Sequence, residues 1–94
     1  MRLSSEEVAL LKSTLRQLDA NAELYLFGSR IDDKKRGGDI DLLIVSSLLD
    51  KRAKRILRLA FFERFGEQKI DILLDDGHFK EPFHKLALER GVKL

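Results

Sequence analysis

Apolar residues recur at helical spacing near the start of the chain. Val8, Leu11, Leu15 and Leu18 fall on one face, with Lys12, Arg16 and Gln17 on the other. Ser4 followed by Glu7 three residues on is a capping-box pattern, so a helix is predicted to begin there and to end near Asp19-Ala20-Asn21. Glu23 to Phe27 is short, aromatic and apolar and reads as a strand stopped by Gly28. Ser29 then caps a predicted short helix over Ile31 to Lys35, broken by Gly37-Gly38. Asp39 to Val45 reads as a second strand. Past its two acids it is uninterrupted Leu-Leu-Ile-Val, the mark of a central strand covered on both faces.

Asp50 is placed to cap a helix over Lys51 to Phe65. Ala53, Ile56, Leu57 and Ala60 form its stripe, Phe61, Phe62 and Phe65 widen it, and Gly66 supplies the stop. Lys69 to Leu74 is predicted as a third strand in which Asp71 interrupts the apolar pattern. Asp75-Asp76-Gly77 reads as an ordinary turn. Glu81-Pro82 opens a last helix with a stripe of Phe83, Leu86, Ala87 and Arg90. Gly91 ends it, and Val92-Lys93-Leu94 is left as a short edge strand. The expected fold is α/β (α+β), a small mixed β-sheet with helices packed on it. Pattern alone leaves the pairing of individual strands open.

Composition narrows the class. Ninety-four residues at 44% hydrophobic imply a single domain, 1–94, with a small core and no separate substrate-binding domain. The absence of cysteine excludes disulfides and thiolate metal sites. No stretch approaches the roughly 20 apolar residues of a membrane span, and the N-terminus turns acidic at once, so the expectation is a cytoplasmic protein. The net charge is only +2, but Lys34-Lys35-Arg36 and then Lys51, Arg52, Lys54, Arg55 and Arg58 cluster. Such patches meet phosphates, RNA or an acidic partner, or are solvated helix faces. No aromatic residues interleave as base stacking would require, which ranks a protein partner above nucleic acid.

The chemistry concentrates between residues 28 and 71. Asp39 and Asp41 lie at i and i+2, which on a strand places both on one face, roughly 6–7 Å apart. Buried carboxylates are costly unless paired or bound to metal. Asp71 converges on them if its strand is the neighbour. Three hard oxygen ligands suit Mg²⁺ or Mn²⁺, and a metal pair would brace an in-line phosphoryl displacement. Gly28-Ser29 would cradle the phosphates through backbone N–H groups and a hydroxyl, and Asp71 can also act as general base. His78 and His84, six apart, match no common metal spacing and read as surface or core residues. Tyr25 reads as core packing with a hydroxyl within possible reach of the site.

Gly28-Ser29, nine residues, then Asp39-Ile40-Asp41 between apolar flanks resembles the signature of the DNA polymerase β-type nucleotidyltransferase superfamily. Its size and amphipathic helices make the chain similar to the minimal nucleotidyltransferases, the MNT proteins. The resemblance implies the palm-like nucleotidyltransferase fold. It implies nucleotide binding by Gly28, Ser29 and Arg30. It implies metal binding and catalysis by Asp39, Asp41 and a later carboxylate, best matched by Asp71, with Asp75 and Asp76 as rivals explained by their turn. ATP or another nucleoside triphosphate would be the substrate and Mg²⁺ or Mn²⁺ the cofactor.

MNT proteins often pair with a helical HEPN-class partner as the antitoxin of a toxin–antitoxin system, and some transfer AMP from ATP to a tyrosine of that partner. The same role is expected here. Two alternatives stand beside it: an antitoxin that acts by binding alone, and a transferase acting on RNA or a small molecule. The acceptor and the oligomeric state, a homo-oligomer included, stay open.

Overall fold

The computed structural model describes residues 3–28 and 39–94. The short helix expected over 31–35, the Lys34-Lys35-Arg36 cluster and the Gly37-Gly38 break lie outside the described residues, as do Ser29 and Arg30. The described elements run α1 (Ser5–Leu18), β1 (Glu23–Phe27), β2 (Ile40–Val45), α2 (Lys51–Phe65), β3 (Ile70–Asp75), α3 (Pro82–Arg90) and β4 (Val92–Lys93).

Local chemistry sets the helix ends. Ser4 Oγ accepts the Glu7 N–H at 3.0 Å while Glu7 Oε1 accepts the Ser4 N–H at 2.8 Å, the reciprocal pair foreseen. Asp50 Oδ1 accepts the Arg52 N–H and so caps α2. Gly66, at φ +90°, closes α2 with its N–H on the Phe62 carbonyl.

The four strands form one mixed sheet in the order β3-β2-β1-β4. β1 pairs antiparallel with β2 and with β4, and β2 pairs parallel with β3 through the α2 crossover. Leu24, Leu26, Ile40, Leu42, Ile44, Ile70 and Ile72 face Leu11 and Leu15 of α1 and Leu57 and Phe61 of α2 in one buried cluster. Each such side chain contributes about 1.5–3 kcal/mol when removed from water. The opposite face carries Phe27, Asp41, Leu43 and Asp71, and α3 packs there against β1 and β2. Leu43 is fully buried on that face, so β2 is covered on both sides as expected.

Three expectations are corrected. Asp39 lies just before β2 rather than inside it, because the β3 ladder begins at the Ile40 N–H, which donates to the Lys69 carbonyl at 3.0 Å. Asp75 is the last residue of β3 and is buried, not a turn residue. The carboxylate survives burial because it accepts the N–H groups of Gly77 (2.8 Å) and Phe79 (3.0 Å) and stands 2.9 Å from His84 Nδ1. The expected α3 stripe is mostly open: Ala87 is buried, while Phe83 and Leu86 are exposed, because so short a helix meets the sheet only along its middle. The α2 basic cluster is a largely exposed helix face, one of the readings the sequence left open. Arg58 Nε donates to the Ile70 carbonyl at 2.8 Å, and Arg52 pairs with Asp50.

Candidate functional site

β1 and β2 meet at Phe27 and Asp41, which are directly opposite in the antiparallel register. Across the parallel ladder Asp41 is level with Asp71. Residues level across a sheet share a face, so Phe27, Asp41 and Asp71 stand in a row over β1, β2 and β3. The predicted convergence of Asp41 and Asp71 therefore follows from β2 and β3 being neighbours. Asp41 is half-buried and Asp71 exposed.

Gly28 follows Phe27 at φ +78°, a conformation glycine adopts without strain. A Cβ added there would run into the Asp41 carboxylate. The backbone thus passes directly over the acid, and any side chain at position 28 would displace it.

Asp41 stands in the field of the other two acids. Asp41 is pushed above its ordinary range by burial first, then by Asp71, then by Asp39, with Lys69 opposing. Lys69 Nζ lies 3.3 Å from Asp39 Oδ2, and the ammonium is held charged by Asp39, with Asp71 and Asp41 adding to it. Both partners are substantially exposed, so this is a screened surface pair. Sequence reasoning missed Lys69 as part of this cluster. Its only signal was its position two residues before Asp71.

Among the described residues no three acids or histidines are drawn into a ready-made metal cage. Asp41 and Asp71 are level but like-charged, and Asp39 is turned to Lys69. The donor set nevertheless fits a divalent cation. It is all hard oxygen, and its half-buried member is pushed toward its neutral form by burial first and then by its acidic neighbours, a repulsion a cation relieves.

Other candidates do not join the cluster. Asp75 sits at the far end of β3, four residues or about 13 Å from Asp71, and is occupied by His84. That pairing gives His84 a core role, as expected. The Tyr25 hydroxyl donates to Glu23 Oε1 at 3.1 Å, so it is turned along β1 rather than to Asp41. A surface cleft of about 380 Å³, lined by Lys12, Arg16, Asn21, Glu23 and Lys93 among others, contains none of the three carboxylates. Among the described residues no helix is long and apolar enough to cross a membrane.

The family model for the nucleotidyltransferase domain matches residues 8–93, from within α1 to β4. The chain is also 37% identical over 86 residues to a protein of Haemophilus influenzae named probable protein adenylyltransferase MntA. That match covers 89% of this chain and 75% of the relative. Strand order, the carboxylate row and these two similarities agree: the chain belongs to the nucleotidyltransferase domain family, is of the MNT type, and is a transferase enzyme.

Proposed function

We propose that the protein transfers AMP from ATP to a hydroxyl of a partner protein, with Asp39, Asp41 and Asp71 as its metal-binding and catalytic carboxylates. The observation that carries this reading is the juxtaposition of Gly28, Asp41 and Asp71: a side-chain-free backbone passing over the middle acid of a row. Gly28, with Ser29 and Arg30 beside it in the sequence, would take the triphosphate. The backbone can approach phosphate closely where no Cβ intervenes. The three carboxylates would hold Mg²⁺ or Mn²⁺, which when bound neutralises phosphate charge and supplies Lewis acidity. Asp71, the exposed member, would accept the proton of the incoming hydroxyl. The hydroxyl oxygen forms the new bond to the α-phosphorus as the bond to pyrophosphate breaks, and pyrophosphate carries away the bonding pair.

The acceptor reading is supported by the name of the Haemophilus relative, a protein adenylyltransferase. The MNT resemblance supports a HEPN-type helical partner, with this chain as the antitoxin of the pair, in the cytoplasm. Titration calorimetry with ATP and Mg²⁺, followed by transfer of label from α-labelled ATP to the co-expressed partner, tests it. Wild type should bind and transfer, and the Asp39→Ala/Asp41→Ala variant should do neither. Protection from the partner toxin that survives in the double variant would overturn the enzymatic account of the antitoxin role.

A further inference from the structure

α1 and α2 pack on the face of the sheet opposite the acid row. A groove of about 330 Å³ opens where the end of α1 meets the start of α2, and its apolar lining is Leu18, Leu48, Leu49, Ala53 and Ile56. Leu48 is 75% exposed, Ile56 43% and Leu59 53%. A single exposed leucine is ordinary. These three are joined. Leu48 and Ile56 border the same groove, and Leu59 lies three residues beyond Ile56 on the same outward stripe of α2. Leu48 is also held in place. Ser46 Oγ accepts the N–H groups of Leu48 and Leu49, each at 3.1 Å, and donates to Asp19 Oδ2 at 2.7 Å. Ser46 and Asp19 are both buried, so the bond ties the end of β2 to the end of α1 and fixes the backbone that presents Leu48.

Charge frames the patch. α2 carries five cations between Lys51 and Arg58 and no acid before Glu63. Arg52 is answered by Asp50 and Arg58 by the Ile70 carbonyl. Lys51, Lys54 and Arg55 make no ion pair with a described residue. A two-fold contact with a second copy would set these three cations against themselves. The patch is aliphatic and holds no ring on which a base could stack, which disfavours RNA. We infer that the groove docks an amphipathic helix of a partner protein. Its apolar ridge packs on Leu48, Ile56 and Leu59, and its flanking Asp and Glu residues meet Lys51, Lys54 and Arg55. A helix suits the site because the side-chain ridges of α1 and α2 repeat at helical pitch. Arg52 to Leu59 spans about 10 Å, so two to three turns cover it. The dock lies across the sheet from Asp41 and Asp71 and leaves the acid row open. It stands independently of the nucleotide chemistry proposed above.

The probe is a synthetic helix of about 18 residues whose leucine ridge is flanked by glutamate. Its controls are the same ridge flanked by lysine, a glutamate helix with an alanine ridge, and a single-stranded RNA. Fluorescence anisotropy at two salt concentrations reads binding to wild type, Leu48→Ser, Leu59→Ser and Lys51→Glu/Arg55→Glu. All these positions are exposed, and circular dichroism verifies folding. The leucine–glutamate helix should bind wild type at least about 10-fold more tightly than either control helix, and more weakly as salt rises. Each serine variant should weaken it by about 5- to 50-fold, and the charge reversal at least as much. Amide NMR shifts on binding should fall between Leu48 and Leu59 and spare Asp41 and Asp71. Equal binding of the alanine-ridge helix would show a surface that reads charge alone and overturn the groove. Shifts located elsewhere, or no binding by wild type, would overturn it too. RNA binding abolished by Lys51→Glu/Arg55→Glu and untouched by Leu59→Ser would assign the face to nucleic acid instead. A wild-type dimer in sedimentation that Leu59→Ser renders monomeric would assign it to a second copy.

Discussion

Gly28 and Asp41 approach so closely that a Cβ at residue 28 would clash with the Asp41 carboxylate. The same residue sits at φ +78°, where an L side chain is strained by about 1–2 kcal/mol. Gly28→Ala therefore carries two penalties, one in the backbone and one at Asp41. Transfer activity should fall at least about 100-fold, as expected for an angstrom-scale displacement of a catalytic group. The melting temperature should drop by only a few degrees, since the change sits at a strand end outside the core. Near wild-type turnover in a folded Gly28→Ala protein would show that the approach of Gly28 to Asp41 has no part in the chemistry.

Asp41 is the acid that destabilises its own fold. Burial, then Asp71, then Asp39 raise its pKa above the ordinary 3.8. The folded state therefore holds the proton more tightly than the unfolded state does. Stability contributed by the protonated form is full below about pH 3.8 and is lost as the pH rises through the higher folded value. At neutral pH the ionised carboxylate is a net liability. Asp41→Asn should melt higher than wild type at pH 7 in metal-free buffer while losing transfer activity, and the gap in melting temperature should close toward pH 3.5. Asp71→Asn should act in the same direction but less, because burial is the larger cause and Asp71 is exposed. Thermal scans across pH with chelator present decide this. A lower melting temperature for Asp41→Asn at neutral pH would contradict it.

Most of the architecture was legible because its signals are local. The Ser4–Glu7 box, the Asp50 cap, the Gly66 stop and the short apolar, aromatic run of β1 each depend on residues within a few positions of one another. The Asp41–Asp71 pairing was legible only conditionally, since it requires β2 and β3 to be neighbours, and no local pattern encodes strand adjacency. What escaped entirely depends on distant partners. Asp75 looks like the first residue of an Asp-Asp-Gly turn until His84, nine residues on, is seen to bind it. Phe83 fits a buried helical stripe by spacing, and only its placement at the margin of the α3–sheet contact shows it to be exposed. Lys69 carries no motif at all, and its role follows from the register that brings it beside Asp39.

Lys69 is the internal counter-charge of the acid row, 3.3 Å from Asp39 and within the field of Asp41 and Asp71. A divalent cation bound by these acids competes with it for Asp39. Lys69→Ala should therefore bind Mn²⁺ a few-fold more tightly than wild type, and the enhancement should shrink as added salt screens the lysine. Calorimetric or relaxation titrations with Mn²⁺ at two ionic strengths measure both effects. Weaker Mn²⁺ binding in Lys69→Ala would mean that the lysine organises the carboxylates rather than competing with the metal.

The Asp75–His84 pair is a stability device set well apart from the acid row. Burial alone would raise the Asp75 pKa, but the His84 hydrogen bond and the Gly77 and Phe79 N–H groups outweigh it and leave the pKa below its ordinary value. The sign is opposite to that of Asp41. Asp75 stabilises the fold fully above about pH 3.8, and that contribution is lost as the pH falls through the lower folded value. Asp75→Ala strands two backbone N–H groups and the His84 ring together, so it should cost about 2–4 kcal/mol at pH 7. His84→Ala leaves the backbone bonds in place and should cost less, about 1–2 kcal/mol. Urea unfolding at pH 7 and pH 3 separates the cases. The Asp75→Ala deficit should narrow on acidification, because wild type then loses the same carboxylate interactions. At pH 7, below the melting transition, the folded Asp75→Ala fraction should retain ATP binding, since β3 holds Asp71 at its other end. Loss of ATP binding in folded Asp75→Ala would return Asp75 to the list of site carboxylates.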